Sequence, residues 1–238
     1  MMLRLSAVLL LGSCFLSSSM AEEEKTTAPE SPQVTKIGEN LYRLGEIRID
    51  AKAREVSFPG VVNMREGGPI EYVLVHETGK VHEAIFTTAV PPLHLQIALK
   101  LLKYKDGHGD VFNRLLAPEV LEKEGGEKKD RGNEVTVRFT VDDEEPVPAS
   151  ETIIDGATAN PMEDAPWIYT GSTIEDGTFM ADAEGSIVAI YLDHLAMFNM
   201  AREGADTDDR WGANSKAIPD IGTRVTLHLA PAKTDVTK

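Results

Sequence analysis

The sequence predicts an α+β fold, a mostly antiparallel β-sheet domain with one main amphipathic helix packed on it. Three observations carry that expectation. From Val34 onward, short apolar segments of strand length alternate with turn residues. Glu134 to Val141 sets Val135, Val137, Phe139 and Val141 against Glu134, Thr136, Arg138 and Thr140, the alternation of a strand with one wet face. Leu93 to about Tyr104 shows sustained helical spacing, with Gln96, Lys100 and Lys103 on one stripe and Leu95, Ile97, Ala98, Leu101 and Leu102 opposite.

The elements follow in chain order. Residues 1–21 read as a signal peptide: a basic start at Arg4, an apolar run from Leu5 to Leu16, and small residues up to Ala21. The run is about a dozen residues, short of the ~20 that a spanning helix needs. Ser19-Met20-Ala21 predicts cleavage after Ala21. Leu11-Gly12-Ser13-Cys14 resembles a lipobox and offers the alternative of lipidation at Cys14. Residues 22–33 are acidic and rich in Thr, Ser and Pro, which makes them a disordered linker. A single domain is expected over 34–231, with a flexible tail at 232–238.

Within the domain, Asn40 to Asp50 and Arg54 to Met64 have strand character, and Pro59-Gly60 bends the second. Ile70 to His76 and Val81 to Thr88 flank Glu77-Thr78-Gly79-Lys80, which reads as a hairpin with Gly79 supplying a positive φ. Pro91-Pro92 opens the helix, because an unpaired first-turn N–H costs proline nothing. That helix is expected to pack on the preceding hairpin, with His94 on its apolar side. Residues 123–132 form a charged loop. Trp167 to Thr170, Ser186 to Leu192 and Thr223 to Leu229 read as strands, and Asp193 as the cap of a short helix through about Arg202.

Composition excludes several classes. With 24 Lys+Arg against 39 Asp+Glu, the formal charge is -15 and no basic stripe relieves it, so no nucleic-acid partner is expected. One cysteine makes neither a disulfide nor a Cys-type metal site. Serine-hydrolase, phosphate-loop and dinucleotide-binding motifs are absent. His76-Glu77 and His82-Glu83 start like zincin helices, but Lys80 and Phe86 stand where the second histidine would be.

Chemistry concentrates on histidine. Four of the six, His76, His82, His94 and His108, lie between positions 76 and 108. The functional reading joins His82 and Glu83 on the hairpin with His94 on the helix as a ligand or divalent-metal site. The competing reading makes His94 a hydrogen-bonded core residue and the His-Glu pairs ordinary surface. Weaker candidates are His76, and the loop Asp106, His108 and Asp110, whose Asp residues also suit a Gly-rich turn. Trp167 and Trp211 are either ligand-stacking platforms or core, and Asp142 to Glu145 is a solvated charge run.

Arg48-Ile49-Asp50, Glu71-Tyr72-Val73-Leu74-Val75, Lys80-Val81-His82-Glu83-Ala84 and the Pro-Leu-His-Leu-Gln helix start resemble the YdjY-like domain family of bacterial envelope proteins. Pro166-Trp167-Ile168-Tyr169-Thr170-Gly171-Ser172 and Ile218-Pro219-Asp220-Ile221-Gly222-Thr223 extend the likeness over roughly 45–230. The resemblance implies an exported domain without an established activity, and it weights His82 and Glu83 over His76 and His108. The cysteine-rich additions of some members are missing here, and His194 to Met200 departs from the family's Asn/Pro-containing loop. The expected protein is periplasmic or secreted, or a lipoprotein held by Cys14. Two functions are weighed: a non-catalytic binding or structural module without cofactor, and a metal-dependent hydrolase using His82, Glu83 and His94. The first is favoured, and its partner is unknown.

Overall fold

In the computed structural model the described residues are 33–107, 111–113, 131–142 and 144–232. The processing site at Ala21, Cys14, His108 and Asp110 therefore lie outside them. The described residues are 39% strand and 13% helical, and their main sheet closes into an eight-stranded barrel. This overturns the α+β expectation of a sheet with a helix packed on it.

The meander β1 (Val34–Gly38), β2 (Leu41–Leu44), β3 (Ile47–Asp50) and β4 (Glu55–Val62) leads into the barrel. β5 (Tyr72–His76), β6 (Ala84–Thr88), β7 (Glu134–Thr140), β10 (Trp167–Tyr169), β13 (Ser186–Ala189), β14 (Phe198–Met200) and β16 (Arg224–Pro231) complete it. Around the barrel the order is β4, β16, β7, β10, β14, β13, β5, β6 and back to β4. β8 (Val147–Pro148) edges β7, while β9 (Ile153–Asp155) pairs β15 (Trp211–Ala213) and β11 (Ile174–Glu175) pairs β12 (Thr178–Phe179) as small ribbons.

Closure depends on β4 changing partner. Its first half pairs β3 through Glu55, Val56 and Ser57, and its last two residues pair β6 through Val61 and Val62. Pro59 sits between these stretches. Its carbonyl accepts from the Thr88 hydroxyl at 2.7 Å on the same edge, so the missing N–H falls where no ladder bond is required. Val56, Phe58 and Val62 point inward with Val137, Phe139, Val225, Leu227 and Leu229, all almost fully buried. Gly60 also faces inward, because a Cβ there would stand 2.6 Å from Leu227 Cδ1. An eight-stranded barrel is just wide enough for side chains to fill. Phe86 meets Phe139 at 5.0 Å and Tyr169 meets Phe198 at 5.2 Å between ring centres.

The 70–88 segment is not a hairpin. β5 and β6 are parallel, with Tyr72 opposite Ala84 and Leu74 opposite Phe86. The chain returns through the Glu77-Thr78-Gly79 turn and a single 3-10 turn, Val81–Glu83. Asn63 holds that return, its Nδ2 donating to the carbonyls of Val81 at 2.6 Å and Ala84 at 2.7 Å. Gly79 serves through close approach: a Cβ there would lie 2.9 Å from the Glu184 carbonyl oxygen and 3.1 Å from Gly185 Cα. A positive φ is not its role, since the left-handed glycines lie elsewhere.

The helix α1 (Pro92–Leu101) begins at the proline pair as expected and buries Leu95, Ala98 and Leu99. It packs chiefly on β3 and on the short α2 (Met180–Glu184), not on the 70–88 segment. The helix expected after Asp193 is absent: Phe198–Met200 is β14, fully buried between β10 and β13. Tertiary pairing there overrides the helical preference of alanine and methionine. Among the described residues no helix is long and apolar enough to cross a membrane.

Candidate functional site

The return between β5 and β6 carries the residues of interest, and Lys80 and His82 on it face different partners. Lys80 turns back onto β5, where its Nζ donates to the Tyr72 hydroxyl at 2.8 Å. That hydroxyl donates in turn to Asp193 Oδ2 at 2.8 Å. Tyr72 is 1% exposed, and burial followed by the neighbouring Asp193 charge pushes its phenol far above the ordinary tyrosine value. The ring covers a small satellite cluster of Val75, Ala84, Ala189 and Ala196, apart from the main core. Lys80, Tyr72 and Asp193 thus fasten the 190–197 connection to the barrel wall. Asp193 also accepts from the Leu195 N–H at 2.8 Å, so it caps a turn where a helix was expected.

His82 points the other way. Its side chain is 73% exposed, and its Nε2 lies 3.1 Å from Glu83 Oε1. Glu83 is half-buried beside Glu71, whose carboxyl is raised above the usual carboxylate range by burial first and by repulsion from Glu83 second. Lys80 opposes the shift without cancelling it. Backbone bonds tie the same pair together, the Glu71 N–H donating to the Glu83 carbonyl at 3.1 Å.

His82 borders an open groove of about 590 Å³ lined by Asn63, Met64, Arg65, Glu66, Val81 and Ile221. Met64, Val81 and the 67%-exposed Ile221 give it an apolar floor. Arg65 fixes the far wall: its Nε donates to the carbonyls of Ser215 at 3.2 Å and Ile218 at 3.1 Å, and a terminal nitrogen meets Asp220 at 2.7 Å. A concave surface with an apolar floor and a few polar groups at its rim is the usual form of a small-molecule site.

The family model of the YdjY domain matches residues 47–230. This chain belongs to that family. The match opens at the first residue of β3 and ends one residue before the end of β16, so it takes in all eight barrel strands but for Pro231 and leaves β1 and β2 outside. No curated protein and no solved structure matches the chain.

Within this YdjY domain the sequence-derived candidates separate. His82 and Glu83 are together. His94 is on α1, beyond the opposite end of β6, with its Nδ1 near Gly45 in the β2–β3 turn. His76 ends β5 and braces the turn that follows: the Thr78 N–H donates to its Nδ1 at 3.3 Å and the Thr78 hydroxyl lies 2.8 Å from the same atom. Asp106 pairs with Lys100 and lies against Gly171, where no Cβ would fit. Trp167 and Trp211 are 1% and 6% exposed, so both belong to the core. Among the described residues no three His, Cys, Asp or Glu side chains converge to hold a metal ion. Glu71, Arg65 and Ile221 were not singled out by sequence. The hydrophobic run Ile70 to Val75 interrupted by Glu71 was the available signal for the first of them.

Proposed function

We propose that this YdjY domain is an exported envelope module that binds a small amphiphilic ligand in the groove beside His82. The observation that carries the reading is that groove itself, with His82 oriented by Glu83 at one rim and an apolar floor of Met64, Val81 and Ile221. The polar head faces His82 and Glu66, and the apolar body covers the floor. The acidic chain disfavours a strongly anionic ligand, so a neutral head with hydroxyl groups is the expected class. Export is supported by the Met1 to Ala21 pattern, and a mature N-terminus at Glu22 is the expected product, with lipidated Cys14 as the alternative.

The test is an NMR titration of the mature chain with octyl glucoside below its micelle concentration. Shift changes confined to Val81, His82 and Ile221, and lost in His82→Ala and Ile221→Asp, support the reading. Shifts scattered over the surface, or none, refute it. Mass spectrometry of the exported protein reads the N-terminus independently.

A further inference from the structure

A second constellation lies on the outer face of the barrel, on three adjacent strands. His228 of β16 stands between Glu55 of β4 and Thr140 of β7. Its Nδ1 lies 3.0 Å from Glu55 Oε1 and its Nε2 lies 3.3 Å from Thr140 Oγ1. A carboxylate accepts only, so the Nδ1 side carries the proton and the Nε2 lone pair faces the threonine hydroxyl. That is the order of nucleophile, base and orienting acid used in acyl transfer, where the constellation is recognised by roles and geometry and not by chain order. All three side chains stand on rigid strands: His228 is opposite Ser57 of β4 and Arg138 of β7 in register, and Thr226 is opposite Thr140.

The triad borders an open groove of about 510 Å³. Its walls include Arg48 and the carboxylates of Glu46 and Asp50. The groove shares no residue with the one beside His82.

We propose that Thr140, His228 and Glu55 form an acyl-transfer site for small, uncharged or cationic carboxylic esters. Thr140 Oγ1 attacks the ester carbonyl carbon while its proton passes to His228 Nε2, giving a tetrahedral oxyanion intermediate. Collapse breaks the bond to the leaving oxygen, and the imidazolium protonates that oxygen as the alcohol departs. Water then attacks the threonyl ester with His228 again as base, releasing the carboxylic acid and restoring Thr140. One ester and one water become one acid and one alcohol. Glu55 is a positioning residue, acting through the imidazole.

The test combines phenyl acetate turnover with a fluorophosphonate probe, using the mature chain and peptide mass spectrometry to place the adduct. The expected result is an adduct on Thr140, and Thr140→Ser keeps it. His228→Gln is expected to lower labelling and turnover by at least about 10²-fold. Glu55→Gln lowers kcat with little change in KM. Thr140→Val, which keeps the side-chain shape, abolishes both signals while melting like the parent. No adduct, an adduct elsewhere, or turnover that survives Thr140→Val overturns the proposal. None of these outcomes bears on binding beside His82.

Discussion

Replacing Tyr72 by phenylalanine tests whether one buried hydroxyl holds the Lys80 turn to the 190–197 connection. The hydroxyl accepts from Lys80 Nζ and donates to Asp193 Oδ2, each at 2.8 Å. Hydrogen bonds to charged groups contribute about 1.5–3 kcal/mol each. Lys80 and Asp193 are both half-buried, so each regains part of its hydration when the hydroxyl goes. The ring stays in place, and with it the contact that puts Lys80 Nζ 5.2 Å from the ring centre. The net loss is therefore expected at about 2 kcal/mol, below the sum of two full bonds. For a domain of this size that lowers Tm by about 4–8 °C. Urea unfolding should show the midpoint shifted with the slope unchanged. A double-mutant cycle of Lys80→Met and Asp193→Asn should give a coupling of about 0.5–3 kcal/mol in the parent and none in Tyr72→Phe. A Tyr72→Phe protein within about 0.5 kcal/mol of the parent, or a coupling that survives the loss of the hydroxyl, would refute the reasoning.

Glu71→Gln should stabilise the fold at neutral pH. The folded carboxyl binds its proton more tightly than the unfolded one, so its contribution is intact below the ordinary carboxylate value and is lost as pH rises through the raised one. The gain in Tm at pH 7 should vanish near pH 4, and equal melting at pH 7 would count against the burial argument. Gly132→Ala should cost more than about 4 kcal/mol, because its Cβ would stand 2.0 Å from the Tyr169 carbonyl oxygen. Gly177→Ala meets nothing within 4 Å and should cost only the left-handed strain, about 1–2 kcal/mol, in the same melting assay. His82→Ala should leave stability within about 0.5 kcal/mol, its side chain being 73% exposed, while abolishing the octyl glucoside response.

Strands with one wet face were legible because alternation is a local property. Glu134–Thr140 and Arg224–Pro231 show it, and Pro59 marks the position where β4 changes partner. Closure was not legible, because it depends on pairing Val61 and Val62 with Thr87 and Phe86, some twenty-five positions away in the chain. The same closure explains the misread hairpin. Two apolar runs separated by a glycine turn satisfy hairpin chemistry equally well, but β6 runs parallel to β5 and pairs β4 on its other edge. Ala196 to Met200 misled for a related reason, since a buried strand of three residues carries no periodicity.

The candidate site divides along the same line. His82 and Glu83 are neighbours in sequence and remain so in space, whereas Arg65 and Ile221 reach the groove from distant segments. His94 shares the helix's apolar side, as its spacing indicates, but α1 packs on β3 and carries the residue away from His82. Helical periodicity specifies which side of a helix is buried and is silent on what buries it.

The Lys80-x-His82-Glu83 segment therefore combines two tasks that its compactness conceals. Lys80 points inward to Tyr72 and fixes the turn, while His82, two residues on, points outward into the groove. A 3-10 turn places consecutive side chains on different sides, so a single short return can anchor itself and present an exposed group to the groove at once. A barrel already filled by Phe58, Phe86 and Leu227 leaves no room for a ligand inside. On the proposed reading the ligand is held at the rim, where the order imposed by Lys80, Tyr72 and Asp193 sets the position of His82. Loosening that fastening, as in Tyr72→Phe, should weaken binding beside His82 even though Tyr72 itself does not line the groove.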